Sequence, residues 1–345
     1  MPKKGPSSAP REDQTGQQGA AANATGGSGA RTRVTTELAH RPRASDVFPA
    51  EWVRLTGTRF RVTAHWPDDH SFFGAVDDRH QDPMIVGETL RQTSMALAHA
   101  EFGAPADTHF VMWDLEVATD PSALRRADAA EPVTIDVVCS EIRRRGRGLS
   151  SMRTTMEFHR AGRLVARGTG STGCTSPAAY RRLRARQLAA QHAPVPLLPP
   201  VSPELVGRTR AEDVVLAPAD SPEAHPDGTD ADRSHHPATW LLRANTAHPV
   251  LFARPNDHVP GMVLFEAARQ AATAASGRRP FLPYDMSASF SRYAELHSPC
   301  RIEAEVLEKG EDEMTVRVYG HQDGETVFTA VLAAASPAPP LRSLP

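Results

Sequence analysis

"HSFFGAVDDRHQDPMIVGETLRQ", residues 70–92, and "HPVLFARPNDHVPGMVLFEAARQ", residues 248–270, align without a gap at a constant separation of 178 positions. Seven of the 23 positions are identical: His70/His248, Ala75/Ala253, His80/His258, Met84/Met262, Glu88/Glu266, Arg91/Arg269 and Gln92/Gln270. The identities fall mostly on polar residues and the apolar positions between them match in type. The two blocks therefore read as copies of one supersecondary unit.

Working outward, good helix formers without internal proline predict helices over Met84–Glu101 and Met262–Ser276. The second, "GMVLFEAARQAATAAS", is nearly all apolar or small and should be buried on most sides. Alternating runs precede each helix: "EWVRL" and "RFRVTAHW" in the first copy, "EDVVLAP" and "TWLLRAN" in the second. Others follow it: "TIDVVCSEI", "LSSMRTTMEFH" and "LVARGTGSTGC", then "RIEAEV", "EMTVRVYG" and "TVFTAVLAA". One buried helix wrapped by an antiparallel sheet, once per copy, is an α+β arrangement: two tandem hot-dog domains. Such units bury a helix and a sheet edge against a partner, so the copies should form an intramolecular pseudo-dimer that needs no second chain to fold.

The polar segments set the expected boundaries. Residues 1–45 contain only Met1, Val34 and Leu38 as large apolar side chains and should be a disordered tail, dispensable for catalysis. The first repeat is placed at 46–187, a proline-rich linker at 188–204 and the second repeat at 205–336, with a short tail at 337–345. A loop at 218–237 without large apolar residues replaces the "TGT" turn of the first copy and should be mobile and equally dispensable.

The 39 Lys and Arg nearly balance 41 Asp and Glu, for a formal charge of −2, so no global field favours nucleic acid or an anionic membrane. No run approaches the ~18 apolar residues of a membrane span. Cys139, Cys174 and Cys300 form no close pair, which points to a reducing, cytoplasmic setting without disulfides, and to packing roles for these residues. The basic runs Arg143–Gly148 and Tyr180–Gln187 read first as solvated surface, and second as a docking patch for an acidic acyl-carrier protein.

The strings "AHWPDDHSFF", "DPMIVGETLRQ", "PAAYRRLR", "HPVLFARPNDHVPGMVLFEAARQAA" and "FSRYAEL" resemble the AfsA-type A-factor biosynthesis family, the γ-butyrolactone autoregulator synthases of actinomycetes. The resemblance spans roughly residues 50–332. It implies an acyltransferase that joins a β-ketoacyl thioester, carried on acyl-carrier protein or coenzyme A, to the hydroxyl of dihydroxyacetone phosphate, with no cofactor. Products of that kind lead to quorum-sensing signals of secondary metabolism. "PGMVLFEAARQ" is also similar to the helix start of β-hydroxyacyl thioester dehydratases. Their catalytic His would fall at Gly74 and Phe252, so the dehydratase reading loses its base in both copies. A hot-dog thioesterase and a non-catalytic acyl-thioester or lactone sensor are the alternatives.

Glu88 with Arg91, and Glu266 with Arg269, lie three apart on one helix face. Exposed, each would be a minor ion pair. Buried in both copies, they read as chemistry, because apolar residues would serve structure more cheaply. Glu88 and Glu266 are the expected bases or orienting groups. Arg91 and Arg269 are the expected phosphate or carbonyl ligands, Arg269 first for the acceptor phosphate. Gln92 and Gln270 are candidates for orienting Glu or substrate. His80 and His258, just before the helices, are substrate-contact candidates, and a spacing of ten between the loop histidines does not suggest a metal.

Overall fold

The computed structural model describes residues 29–146, 148–190, 193–219, 237–278, 280–335 and 341–344. The expectations for residues 1–28, 220–236 and 337–340 fall outside them. The first copy runs β1 (Arg31–Arg33), β2 (Pro49–Arg54), β3 (Arg59–Ala64), α1 (Met84–Ala100), β4 (His109–Thr119), β5 (Val133–Arg145), β6 (Gly148–Arg160) and β7 (Arg163–Thr175), then the short helices α2 (Pro177–Leu183) and α3 (Ala185–Ala189). The second runs β8 (Leu216–Pro218), β9 (Ala238–Leu242), α4 (Gly261–Ser276), β10 (Pro283–Phe290), β11 (Arg301–Lys309), β12 (Glu313–Gln322) and β13 (Glu325–Ala335).

Fourteen of the seventeen residues of α1 are buried, and α4 buries Val263 to Thr273 without a break. A helix apolar all round cannot lie on a surface and has to be wrapped. The sheet does this. In β12 the alternate residues Met314, Val316 and Val318 are fully buried on the α4 side, each worth about 1.5–3 kcal/mol of burial. Helix and sheet approach closely enough under α1 that a Cβ on Gly168 of β7 would stand 2.6 Å from Leu90 Cδ1.

The thirteen strands of the described residues form one antiparallel sheet, in the order β1-β2-β3-β5-β6-β7-β4-β10-β13-β12-β11-β9-β8. Apart from β1 the order is a palindrome of the two copies, six strands each. The join is β4 against β10, from Asp114 opposite Ser289 to Ala118 opposite Asp285. The copies are therefore an intramolecular pseudo-dimer of hot-dog units.

The expected tail requires correction. Residues 31–33 pair with β2, and Arg41 and Asp46 are buried, so the ordered first copy begins well before residue 46. Part of the cause is Arg41, one of the two cations that pair with buried Glu88. The proline-rich segment is also not a free spacer. Val195 N–H donates to Leu296 O, Val201 N–H to Leu216 O, and Val201 is buried against the second copy. Near the C-terminus, the carbonyls of Leu341 and Arg342 accept from Arg167, and Arg342 pairs with Asp285 beside the β4–β10 join.

Candidate functional site

Each central helix carries the same buried polar knot. In the first copy, Arg91 grips Glu88 with Nε on Oε2 at 2.9 Å and Nη2 on Oε1 at 2.7 Å, while Arg41 Nε donates to Oε1 at 2.9 Å. In the second, Arg269 and Arg208 do the same to Glu266. The knots also tie the copies together. Arg41 donates to Val250 O of the second copy and Arg208 to Phe72 O of the first, the two acceptors being 178 positions apart.

This geometry corrects the reading of the glutamates as bases and of Arg269 as a phosphate ligand, and leaves Gln92 and Gln270 the Glu-orienting half of their expected role. Burial pushes the pKa of Glu88 and Glu266 up, but two guanidiniums each outweigh it and hold both at about 2. Carboxylates so held are poor bases, so their part is to anchor the arginines. Gln92 is saturated: Nε2 donates to Glu88 and Asp46 O, and Oε1 accepts from Phe48 N–H. Gln270 repeats this with Glu266, Asp213 O and Val215 N–H. Arg269, with 2% of its side chain exposed, is committed to Glu266 and Val206 O, so it cannot reach an acceptor phosphate. Arg91 is 22% exposed, and beyond Glu88 its Nη1 meets only the weak acceptor Met95 Sδ, at 3.0 Å.

His70 and His248 act as loop staples. Nδ1 of His70 accepts from Phe72 and Phe73 N–H, Nδ1 of His248 from Val250 and Leu251 N–H, and their Nε2 atoms face Asp46 and Asp213. His80 and His258 are held differently, through Nδ1 on a carboxylate. His80 meets Asp77 at 2.9 Å and His258 meets Asp257 at 2.8 Å. An imidazole that gives its Nδ1–H to a carboxylate keeps the Nε2 lone pair free in the neutral form. Neither Nε2 has a hydrogen-bond partner among the described residues.

The surroundings of the two histidines differ. At His258, Tyr180 of α2 donates to Asp257 Oδ1 at 2.6 Å and lies 3.2 Å from Nδ1, so the first copy completes the second copy's site. Arg184 bridges Asp257 and Glu295, and its guanidinium lies 4.6 Å over the Tyr293 ring. His109 stacks on Tyr180 at 3.8 Å. The Tyr293 hydroxyl, buried beside the His258 ring, has no hydrogen-bond partner among the described residues. Burial pushes Asp257 up, but hydrogen bonds from His258 and Tyr180 outweigh it and keep it well below the usual carboxylate range.

The helix starts differ too. At α1, Asp82 Oδ1 accepts from Met84 N–H at 2.9 Å and its other oxygen pairs with Arg208 at 2.9 Å, so the first amides are capped. At α4 the positions of Asp82 and Pro83 are taken by Pro260 and Gly261, and no side chain caps the helix. The amides of Gly261 and Met262 have no hydrogen-bond partner among the described residues, as expected of the first amides of an uncapped helix.

Beside this site a cavity of about 310 Å³ is lined by Val195, Leu198, Leu242, Val259, Leu296 and Cys300 among others. The proline-rich segment forms one wall. A second, of about 230 Å³, lies between α2–α3 and Asp257, Glu295 and Leu296. The thiols are not nucleophiles: burial raises Cys139 and Cys300 to about 12 and Cys174 to about 11.

Several of these residues escape the sequence reading. Asp257 adjoins His258, and Tyr180 and Arg184 lie in "YRRLR", which looked like surface. Arg41 and Arg208 share a readable signal, R-x-R-A-x-D at Arg41–Asp46 and Arg208–Asp213. It is 167 positions apart rather than 178, because the hairpin between β8 and β9 is longer, and a gap-free comparison passes over it.

The fold and this site define a tandem hot-dog protein with a histidine–carboxylate pair at one uncapped helix end. The A-factor biosynthesis hotdog domain matches residues 23–176 and again 189–336, and the chain belongs to that family. It is 43% identical over 300 residues to the 2-oxo-3-(phosphooxy)propyl 3-oxoalkanoate synthase of Streptomyces virginiae, covering 87% of this chain and 96% of the relative. The synthase of the same name from Streptomyces coelicolor is 42% identical over 301 residues, 87% of this chain and 91% of the relative. Among solved structures, the 12:0-ACP thioesterase from Umbellularia californica is 13% identical with a TM-score of 0.46, over 81% of this chain and 98% of that one.

Proposed function

We propose that the chain transfers a β-ketoacyl group from a thioester to the hydroxyl of dihydroxyacetone phosphate at the N-terminal end of α4. The observation that carries the chemistry is His258, with Nδ1 fixed on Asp257 and Nε2 without a partner among the described residues, three positions before the uncapped start of α4. His258 Nε2 takes the hydroxyl proton as the oxygen attacks the thioester carbonyl. The amides of Gly261 and Met262 meet the charge on the carbonyl oxygen. The C–O bond forms, the C–S bond breaks, and the leaving sulfur takes the proton back from His258. The exchange is redox-neutral and calls for no cofactor. The identity of 43% with a synthase whose name specifies a 3-oxoalkanoyl and a phosphooxypropyl moiety supports this choice of substrates.

The acyl chain is assigned to the 310 Å³ cavity, which opens beside Val259 and Glu295. The donor in this reading is acyl-carrier protein. Arg181, Arg182 and Arg186 are exposed on α2–α3 with Leu183 and Leu188, against the second cavity. An acidic carrier would be steered to that face. The test is mass spectrometry of the purified chain mixed with a β-ketoacyl thioester, with and without dihydroxyacetone phosphate. A phosphorylated ester that forms only with the acceptor is expected. Free β-keto acid released equally in both mixtures would show a thioesterase instead.

A further inference from the structure

The two buried knots are alike in shape but not in charge. In the second copy Arg208 and Arg269 face Glu266 and Asp82, two cations for two anions. In the first, Pro260 stands where Asp82 would have its counterpart, and Arg254 approaches Arg41 and Arg91 from the second copy's loop. Arg41 and Arg91 bind Glu88, while Arg254 stands beside them on His40 without touching Glu88, so three guanidiniums gather around one buried carboxylate, a surplus of two positive charges. Arg254 has no carboxylate partner among the described residues.

The surplus is held in place by a chain of hydrogen bonds. Arg254 Nη2 donates to His40 Nδ1, His40 Nε2 meets His99 Nε2 at 2.8 Å, and His99 Nδ1 donates to Ala104 O at 2.8 Å. With both rings neutral every proton in the chain has one place. The counterparts of Arg254, His40 and His99 in the other copy are Val76, Gly207 and Gly277, so nothing of this chain is repeated there. His40 even keeps the left-handed backbone, φ 54°, that suits its glycine counterpart at φ 67°.

We propose that this surplus binds a phosphate monoester dianion and is the seat of the acceptor's phosphate, with Arg91 and Arg254 as its ligands and Arg41 behind them. Arg254 spends only Nη2, on His40, Arg91 Nη1 meets only the weak acceptor Met95 Sδ, and two positive charges match the dianion. Arg254 is four residues from His258, at most about 14 Å of extended backbone. The neighbouring strand spans the same gap, since Phe110 packs on His40 and His99 while His109 stacks on Tyr180. The assignment rests on the proposed reading of the reaction and deepens it, giving one phosphate site for the two copies.

The test compares wild type with Arg254→Ala, a substitution at an exposed position. Calorimetric titration with glycerol 3-phosphate should show at least about tenfold weaker binding in the variant, as expected for losing a charge-assisted contact. In turnover, KM for dihydroxyacetone phosphate should rise about ten- to a hundredfold with little change in kcat, while unphosphorylated dihydroxyacetone reacts equally well with both proteins. An unchanged KM, or equal losses with both acceptors, overturns the site. If wild type forms no ester at all, the proposed function fails, and the titration alone judges the site: equal affinities of the two proteins overturn it.

Discussion

Glu88 and Glu266 enter the interior as carboxylates because two guanidiniums meet each of them, and their acid behaviour follows. A carboxylate held at about 2 instead of about 4.5 contributes stability that is complete above 4.5 and is lost as pH falls from there toward 2. The loss is on the order of 3 kcal/mol per group at about 1.4 kcal/mol per unit. His40 adds to it from higher pH. Burial first, then Arg254, lowers it to about 3, so its proton prefers the unfolded chain at every pH between 6.5 and 3. Urea midpoints should therefore fall gently below pH 6.5 and steeply below 4.5, and a midpoint unchanged at pH 3 would contradict the knots. At His258, the proposed base, Asp257→Asn removes the carboxylate that fixes the tautomer. It should cost on the order of 10² to 10⁴ in kcat with little change in KM for the acyl thioester, measured by steady-state kinetics.

At the scale of elements, α2–α3 is a surface helix pair with one buried edge, where Tyr180 and Arg184 turn in and Arg181 and Arg182 turn out. Charge reversal of Arg181 and Arg182 together should raise KM for a carrier-borne thioester about tenfold or more while leaving a pantetheine thioester untouched. Equal KM changes with both donors would place the carrier elsewhere. Helices α1 and α4 were legible in the sequence because an apolar run of their length has no solution except burial. The strands that join the copies were not. In β10, "PYDMSASF", only Met286 and Ala288 among the central residues turn inward, and one of its two partner strands, β4, lies in the other copy, so no local pattern announces it. Glu88, Arg91, Glu266 and Arg269 were visible through repetition, and their burial was anticipated. Their partners Arg41 and Arg208 stayed hidden because a knot is closed by distant chain, and the shift from 178 to 167 broke the alignment.

For the whole molecule, the crossed bonds of Arg41 and Arg208 and the β4–β10 join make the two copies one folding unit. Arg41→Ala and Arg208→Ala should each cost ~3–5 kcal/mol, since each leaves a buried carboxylate short of one partner. Denaturation should remain a single transition, whereas two separate transitions would mean that the copies are independent. The same pseudo-symmetry that builds the knots is broken at the chemistry. The first copy caps its own helix with Asp82 and supplies Tyr180 to the second, whose helix end stays open. One working site per chain, at His258, is the central claim. It is tested most directly by single-turnover ester formation in His258→Gln and His80→Gln prepared side by side. The account predicts that His258→Gln loses on the order of 10² to 10⁴ in rate while His80→Gln stays within a few-fold of wild type. Equal losses in the two variants, or a larger loss in His80→Gln, would contradict it.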